Sequence, residues 1–446
     1  MAINSLVLDF LNKGLNCTQK KSSFLWQNSI FLKNIDNIIF ATILLTLGLS
    51  TFASSDLIGY IALTTLFLTV IKLFIKPEEK LELKPFDVFL LVYFLLVVIS
   101  LAGSSLLYLS LKGFFKTFTY LGFYFSAVHY FKDNKAKIPY TIGLIALCAT
   151  LQGVVGIFQN FSQVGEISTW QDVSNINPED VMTRVYGTLQ PFNPNLFGGY
   201  LTACIPAILG LLAFSITEKK YKYSILFSTF ALTTSVALVL SGCRGAYIGL
   251  FTILVCYFAL IAKFIWQSGK EKLKKVFVTV VSAGAALACS AALLISSIRT
   301  RIFSIFAMRQ DSSTSFRLNV YQSAIDMVKD NWLLGIGIGN QNFREIYGLY
   351  MKTGFDALSA YSVFLELAVE SGIFASLAFL GFVIAFVYCC AKYIFSNSDI
   401  KKTIIISTSM IAVIAVMVHG LVDTVFFRPQ IQFAFWTMVA LAAVEV

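Results

Sequence analysis

Asp311-Ser312-Ser313-Thr314-Ser315-Phe316-Arg317, Trp332-Leu333-Leu334-Gly335-Ile336-Gly337-Ile338-Gly339-Asn340 and Asp356-Ala357-Leu358-Ser359-Ala360-Tyr361 belong to one stretch, Arg299 to Gly372, the long polar interruption of an otherwise apolar chain. What lies on either side of it decides the fold. Apolar runs of the length that crosses ~30 Å of hydrocarbon, about 20 residues each, number about 12. They lie near 37–54, 57–75, 86–103, 107–130, 139–160, 194–215, 223–241, 245–264, 276–297, 372–394, 403–421 and 428–446. The expected fold is therefore an all-α polytopic membrane protein, whose long external loop carries short amphipathic helices.

Composition agrees. Of 446 residues, 57% are apolar and 13% charged, with a mean hydropathy of +0.77, well outside the range of soluble domains. Residues 1–36 read as a cytoplasmic N-terminal segment and 37–446 as one membrane domain with external loops 161–193 and 298–371. The N-terminus lacks a short apolar core followed by a small-residue cleavage site, so the first span is expected to act as an uncleaved anchor. Cys148, Cys204, Cys256, Cys289, Cys389 and Cys390 fall in apolar runs, where cysteine is a small hydrophobe rather than half of a disulfide.

Charge sets the orientation. Lys72/Lys76/Lys80/Lys84, Lys132/Lys135/Lys137, Lys219/Lys220/Lys222, Lys270/Lys272/Lys274/Lys275 and Lys401/Lys402 all fall on the side of the N-terminus if the spans alternate. Positive loops stay cytoplasmic, so both termini are expected there. The arginines do the opposite. Arg184, Arg244, Arg299, Arg301, Arg309, Arg317, Arg344 and Arg428, all of the chain's arginines, lie on or near the outer side. A guanidinium is a planar, permanently charged fork that grips phosphate or carboxylate in two places, so this placement points to an anionic ligand; the plainer alternative is arginines reaching into headgroups. Lys112 and Lys116, spaced i, i+4, share a helix face near the outer end of the fourth span, facing either a cavity or the headgroups.

The loop adds further candidates. Phe316 to Lys329 reads as an amphipathic helix with Leu318, Tyr321, Ala324, Ile325 and Val328 on one stripe, and Ser312 to Ser315 as its cap. Gly335, Gly337 and Gly339 sit in no strand-to-helix unit and precede no lysine, so they read as a tight turn or a close backbone approach rather than a nucleotide loop. Asp356, Glu366 and Glu370 are carboxylates near the outer mouth; Glu366 and Glu370, at i, i+4, serve either chemistry or an ion pair with Arg317 or Arg344. His419 and Asp423 share that spacing and are expected to hydrogen-bond. The only histidines, His129 and His419, lie on different spans, so no metal site and no cofactor are expected.

Asn193-Pro194-Asn195, Ser241-Gly242-Cys243-Arg244-Gly245-Ala246, the Ser-Arg helix at 312–328, the Gly-Ile-Gly turn and the run Tyr361…Glu366…Glu370-Ser371-Gly372 resemble the O-antigen ligase and polymerase-related membrane proteins. Within that superfamily, Thr183-Arg184-Val185-Tyr186, Ala357 to Ser362, His419 to Val425 and Phe427-Arg428-Pro429 are most similar to the bicarbonate transporter group of the inorganic carbon transport B kind. The resemblance implies a bacterial inner-membrane glycosyltransferase of polysaccharide biosynthesis. It would move a glycan from a polyprenyl-pyrophosphate donor to an acceptor hydroxyl at the outer face, by a metal-independent inverting step. Its partners would be that lipid-linked oligosaccharide, the acceptor and membrane lipids, with no nucleic acid. Arg184, Arg244 and Arg317 would hold the pyrophosphate, with Lys112 and Lys116 auxiliary. Ligases of the superfamily commonly carry His-x-His-Asn where this chain has Asp356-Ala357-Leu358-Ser359; Asp356 or Glu370 is then the candidate base. The alternative is a transporter, or transport accessory, for a small anion such as bicarbonate.

Overall fold

The computed structural model describes residues 2–77, 79–162, 166–167, 183–294, 299, 303, 312–396 and 399–446. Helices occupy all twelve apolar stretches. They are α3 (Ile35–Leu49), α4 (Ser55–Ile75), α5 (Asp87–Ser100), α6 (Leu107–Asp133), α7 (Ile138–Phe161), α8 (Pro194–Thr217), α9 (Tyr221–Leu240), α10 (Arg244–Gln267), α11 (Glu271–Leu294), α15 (Ile373–Ser396), α16 (Ile400–Gly420) and α17 (Pro429–Ala443). Among the described residues, seven helices are long and apolar enough to cross a membrane by length and composition. Of the other five, α3, α5 and α17 are shorter, α6 carries Lys112, Lys116, Lys132 and Asp133, and α11 opens on Glu271, Lys272, Lys274 and Lys275. The protein is an all-α polytopic membrane protein.

The N-terminal segment is helical too, as α1 (Ala2–Asn28) and α2 (Ile30–Lys33). α1 docks through side chains onto backbone at the end of α4: Gln19 Nε2 donates to Leu73 O at 2.8 Å and Glu79 O at 3.0 Å, and Asn12 Oδ1 accepts from Leu81 N at 2.9 Å. The polar stretch between α11 and α15 contributes α12 (Ser312–Asp330), α13 (Asn340–Tyr347) and α14 (Val363–Ser371). α12 starts four residues before the helix expected at 316, so Ser312 to Ser315 form its first turn and not its cap. Its buried stripe also differs, consisting of Val320, Ser323, Ala324 and Met327, while Ile325 is exposed. A two-residue antiparallel pair, β1 (Glu166–Ile167) with β2 (Thr183–Arg184), lies within the segment between α7 and α8.

α17 is the hub of the bundle, with every residue buried. Trp436 packs against Phe382, Phe435 and Tyr124, its indole N–H donating to Gln432 Oε1 one turn earlier at 2.6 Å. Close helix packing by small residues replaces the hydrophobic drive that lipid cannot supply: a Cβ on Gly249 of α10 would stand 2.6 Å from Thr202 Cγ2 of α8.

The two ends of the bundle differ in charge chemistry. At one end Lys72, only 1% exposed, pairs with Asp36 at 2.7 Å beside Glu79 and Asp133, and Lys135–Glu445 and Lys401–Glu218 close at 3.3 and 2.8 Å. The opposite end of the same helices gathers arginines.

Candidate functional site

Three helix N-termini meet at the arginine end. α8 opens on the Asn-Pro-Asn turn, where Asn193 Oδ1 accepts from the N–H groups of Asn195 and Leu196 at 2.7 and 3.3 Å and Pro194 takes the first helical position. α9 stops at Ser241, and Gly242 turns the chain at φ +61° so that Cys243 caps α10 and Arg244 becomes its first residue. Only glycine suits this turn, since a Cβ would also press to 3.1 Å from Arg184 Nε. α12 brings Thr314 and Arg317, and Arg244 reaches Thr314 Oγ1 at 3.3 Å. Unpaired N–H groups and helix dipoles make such ends favourable to anions.

Arg184 projects from β2, beside Val185, whose N–H donates to Leu240 O at 3.3 Å. Its Nε donates to Ser241 O at 2.8 Å, and a terminal nitrogen donates to Asn195 Oδ1. Asn195 Nδ2 in turn donates to Asp423 Oδ2 at 3.3 Å, the oxygen that also accepts from Arg317 at 3.2 Å. Asp423 Oδ1 accepts from the N–H groups of Thr424 and Val425 at 2.7 and 3.3 Å, and Arg317 donates as well to Val422 O. Asp423 therefore anchors two cations, one directly and one through Asn195. Burial pushes the Arg184 guanidinium below its ordinary value. Burial acts in the same direction on Arg317 and is the largest single influence, but Asp423, Tyr321, Cys243 and Tyr361 together outweigh it and hold that guanidinium above its ordinary value.

His419 does not hydrogen-bond Asp423. α16 ends at Gly420, so the helical i, i+4 relation is lost, and His419 Nε2 lies instead 3.7 Å from Cys243 Sγ. Its ring is closely packed by Gly245, where a Cβ would stand 2.5 Å from His419 Cδ2.

The other candidates lie apart from this cluster. Glu366 and Glu370 are buried in α14; Glu366 Oε2 accepts from Ala360 N–H at 2.8 Å. Burial pushes the Glu370 carboxyl above the ordinary carboxylate range, opposed by the Gly339 amide and Lys116. Neither acid pairs with Arg317. The glycine turn wraps the end of α14, with Ile336 and Gly337 N–H donating to Val369 and Glu370 carbonyls at 2.9 and 3.0 Å. Gly335, Gly337 and Gly339 hold φ of +71°, +100° and +121°, so the close backbone approach is to the protein itself. Asp356 is exposed, as are Lys112, over the Tyr108 ring at 4.5 Å, and Lys116. Arg344 and Arg428 are exposed on α13 and before α17. Arg301 and Arg309 lie outside the described residues. Ser359, in the string that stands where the histidine motif is expected, shares a 2.6 Å hydrogen bond with Thr424.

Reading the sequence alone gave no role to Asn195 or Tyr361. The Asn-Pro-Asn turn was the signal for Asn195; Tyr361, with its ring 5.3 Å from the Arg317 guanidinium carbon, had none beyond its place in a motif.

No curated protein matches the chain. Residues 229–380, from within α9 to within α15, match the family model described as O-Antigen ligase. That span, about a third of the chain, contains Arg244, Arg317, Tyr361, Glu366 and Glu370, and it is in this part that the chain is similar to the O-antigen ligase-related membrane proteins.

Proposed function

We propose that the protein is a membrane glycosyltransferase of the O-antigen ligase type, working at the outer face of a bacterial inner membrane with both termini cytoplasmic. The donor is a glycan on polyprenyl pyrophosphate. The acceptor hydroxyl attacks the anomeric carbon from the face opposite the pyrophosphate, the glycosidic C–O bond to phosphate breaks, and configuration inverts. The departing pyrophosphate gathers negative charge. Preorganised cations aimed at that charge are the help this step needs most, and Arg184, Arg244 and Arg317 supply it without a metal. Lys112 and Lys116 serve as auxiliary cations. The acceptor proton passes to a carboxylate. Asp356 is exposed whereas Glu370 is buried under the glycine turn, which favours Asp356 among the two candidates.

One observation carries this reading: Arg184, Arg244 and Arg317 converge with three helix N-termini. The O-antigen ligase match over 229–380 supports the same class of activity. The test is transfer from a polyprenyl-pyrophosphate-linked glycan in membranes containing Arg317→Ala. A loss of about 10²–10³-fold is expected, the usual cost of one preorganised charge-stabilising donor. Unchanged transfer overturns the reading, and flux of labelled bicarbonate into proteoliposomes lacking any lipid-linked donor would favour anion transport in its place.

A further inference from the structure

Tyr361 has a backbone conformation that its side chain should disfavour. Its φ is +50°, and among the described non-glycine residues only Lys219, in the turn after α8, shares the positive sign. A bulky residue in the left-handed region persists only where its surroundings over-determine it, and such positions gather at functional sites. Here the surroundings can be named. Tyr321, one turn after Arg317 on α12, donates its hydroxyl to Tyr361 O at 3.1 Å. Glu366, 2% exposed, accepts from the N–H of the preceding Ala360 at 2.8 Å. Ser359 is tied to Thr424, beside Asp423, at 2.6 Å, and Phe316 packs edge-on against the Tyr361 ring at 5.9 Å.

These restraints give the ring one position, with its centroid 5.3 Å from the Arg317 guanidinium carbon. Val422 and Asp423 take two of the N–H donors of that guanidinium, out of the five an arginine carries. The ring covers the group without consuming any N–H, so the remaining donors stay available to an anion.

We propose that Tyr361 is a positioning residue for Arg317, and that the buried Glu366 acts through the Ala360 peptide to keep Tyr361 in its left-handed conformation. This rests on the transferase reading above. It also gives Glu366 a structural reason for its burial that requires no proton transfer. The ring holds the guanidinium by cation–π attraction, a contact weaker than the ion pair with Asp423 but one that sets the plane of the fork.

The experiment uses the full chain in lipid nanodiscs, with transfer from a polyprenyl-pyrophosphate-linked glycan, inhibition by inorganic pyrophosphate, and thermal melting as readouts. Tyr361→Asn is the decisive variant, because asparagine accepts the left-handed region far better than tyrosine and removes the ring. It is expected to melt at or above the wild-type temperature, while kcat falls and pyrophosphate inhibition weakens by the same factor, about 2- to 30-fold for loss of a cation–π contact, with donor KM little changed. Tyr361→Phe should behave as wild type. Glu366→Gln, whose amide oxygen still accepts from Ala360, should retain activity that Glu366→Leu loses, and Tyr361→Leu serves the same purpose should Glu366→Leu not fold. If Tyr361→Asn transfers glycan as wild type does while Arg317→Ala is inactive, the positioning role is wrong and the transferase reading stands. If Arg317→Ala is active too, the transferase reading itself fails.

Discussion

Replacing Asp423 by asparagine isolates the charge that organises the arginines. The side chain keeps its shape, and its Oδ1 can still accept from Thr424 and Val425, so the chain beyond α16 keeps its turn. The second position becomes an NH2 group facing two donors, Arg317 at 3.2 Å and Asn195 at 3.3 Å. Both lost hydrogen bonds end on the charged carboxylate, about 1.5–3 kcal/mol each, and of the two only the Arg317 bond ties α12 to Asp423. The N-terminal turn of α12 should therefore open more easily by about 1.5–3 kcal/mol, which is roughly a 10- to 140-fold change in the opening equilibrium. Hydrogen exchange of peptides covering 312–330, followed by mass spectrometry in detergent, reads this without any assumption about activity. Exchange in α5, which makes none of these contacts, is the internal control. Exchange over 312–330 indistinguishable from wild type would refute the idea that Asp423 anchors this turn. In a transfer assay, Asp423→Asn combined with Arg317→Ala should lose less than the product of the two single losses, since both act on the Arg317 guanidinium while Asp423 also anchors Arg184 through Asn195.

Two further outcomes follow from groups away from the arginines. Lys72→Met leaves Lys76 as the remaining cation beside Asp36, Glu79 and Asp133 and should lower the melting temperature, with Asp36→Asn in the same chain restoring part of the loss; a Lys72→Met protein that melts as wild type does would remove the Lys72–Asp36 pair from the account of that end. The Glu370 carboxyl is raised from its ordinary value of 4.5 chiefly by burial, so the folded chain keeps a proton that the unfolded chain releases above that pH. Its contribution to stability is complete below pH 4.5 and is lost as pH rises through the elevated folded value. Melting temperature should thus fall with pH above 4.5 more steeply in wild type than in Glu370→Gln, and parallel slopes would contradict this.

Much of the architecture was readable because bilayer thickness translates directly into run length. Each apolar stretch became a helix, and the lysine-bearing turns Lys72, Lys135 and Lys401 lie at the end of the bundle opposite Arg184, Arg244 and Arg317. Patterning failed where an element faces protein on more than one side. The stripe expected on α12 included Ile325, yet the buried side runs through Val320, Ser323 and Met327, because apolar periodicity marks which residues resist water but not which of them lipid or neighbouring loops will cover. The His419–Asp423 pairing failed for a different reason. It assumed three more residues of helix, and the turn after Gly420 redirects Asp423 toward Arg317.

Composition and run length by themselves determined that this is an all-α membrane protein, since those properties depend on hydrophobicity and local geometry alone. Only the tertiary structure decided which arginines meet. Arg184, Arg244 and Arg317 are separated by 60 and 73 positions in the chain, and what unites them is Asn195, Asp423 and three converging helix starts, contacts that exist only once the bundle has packed.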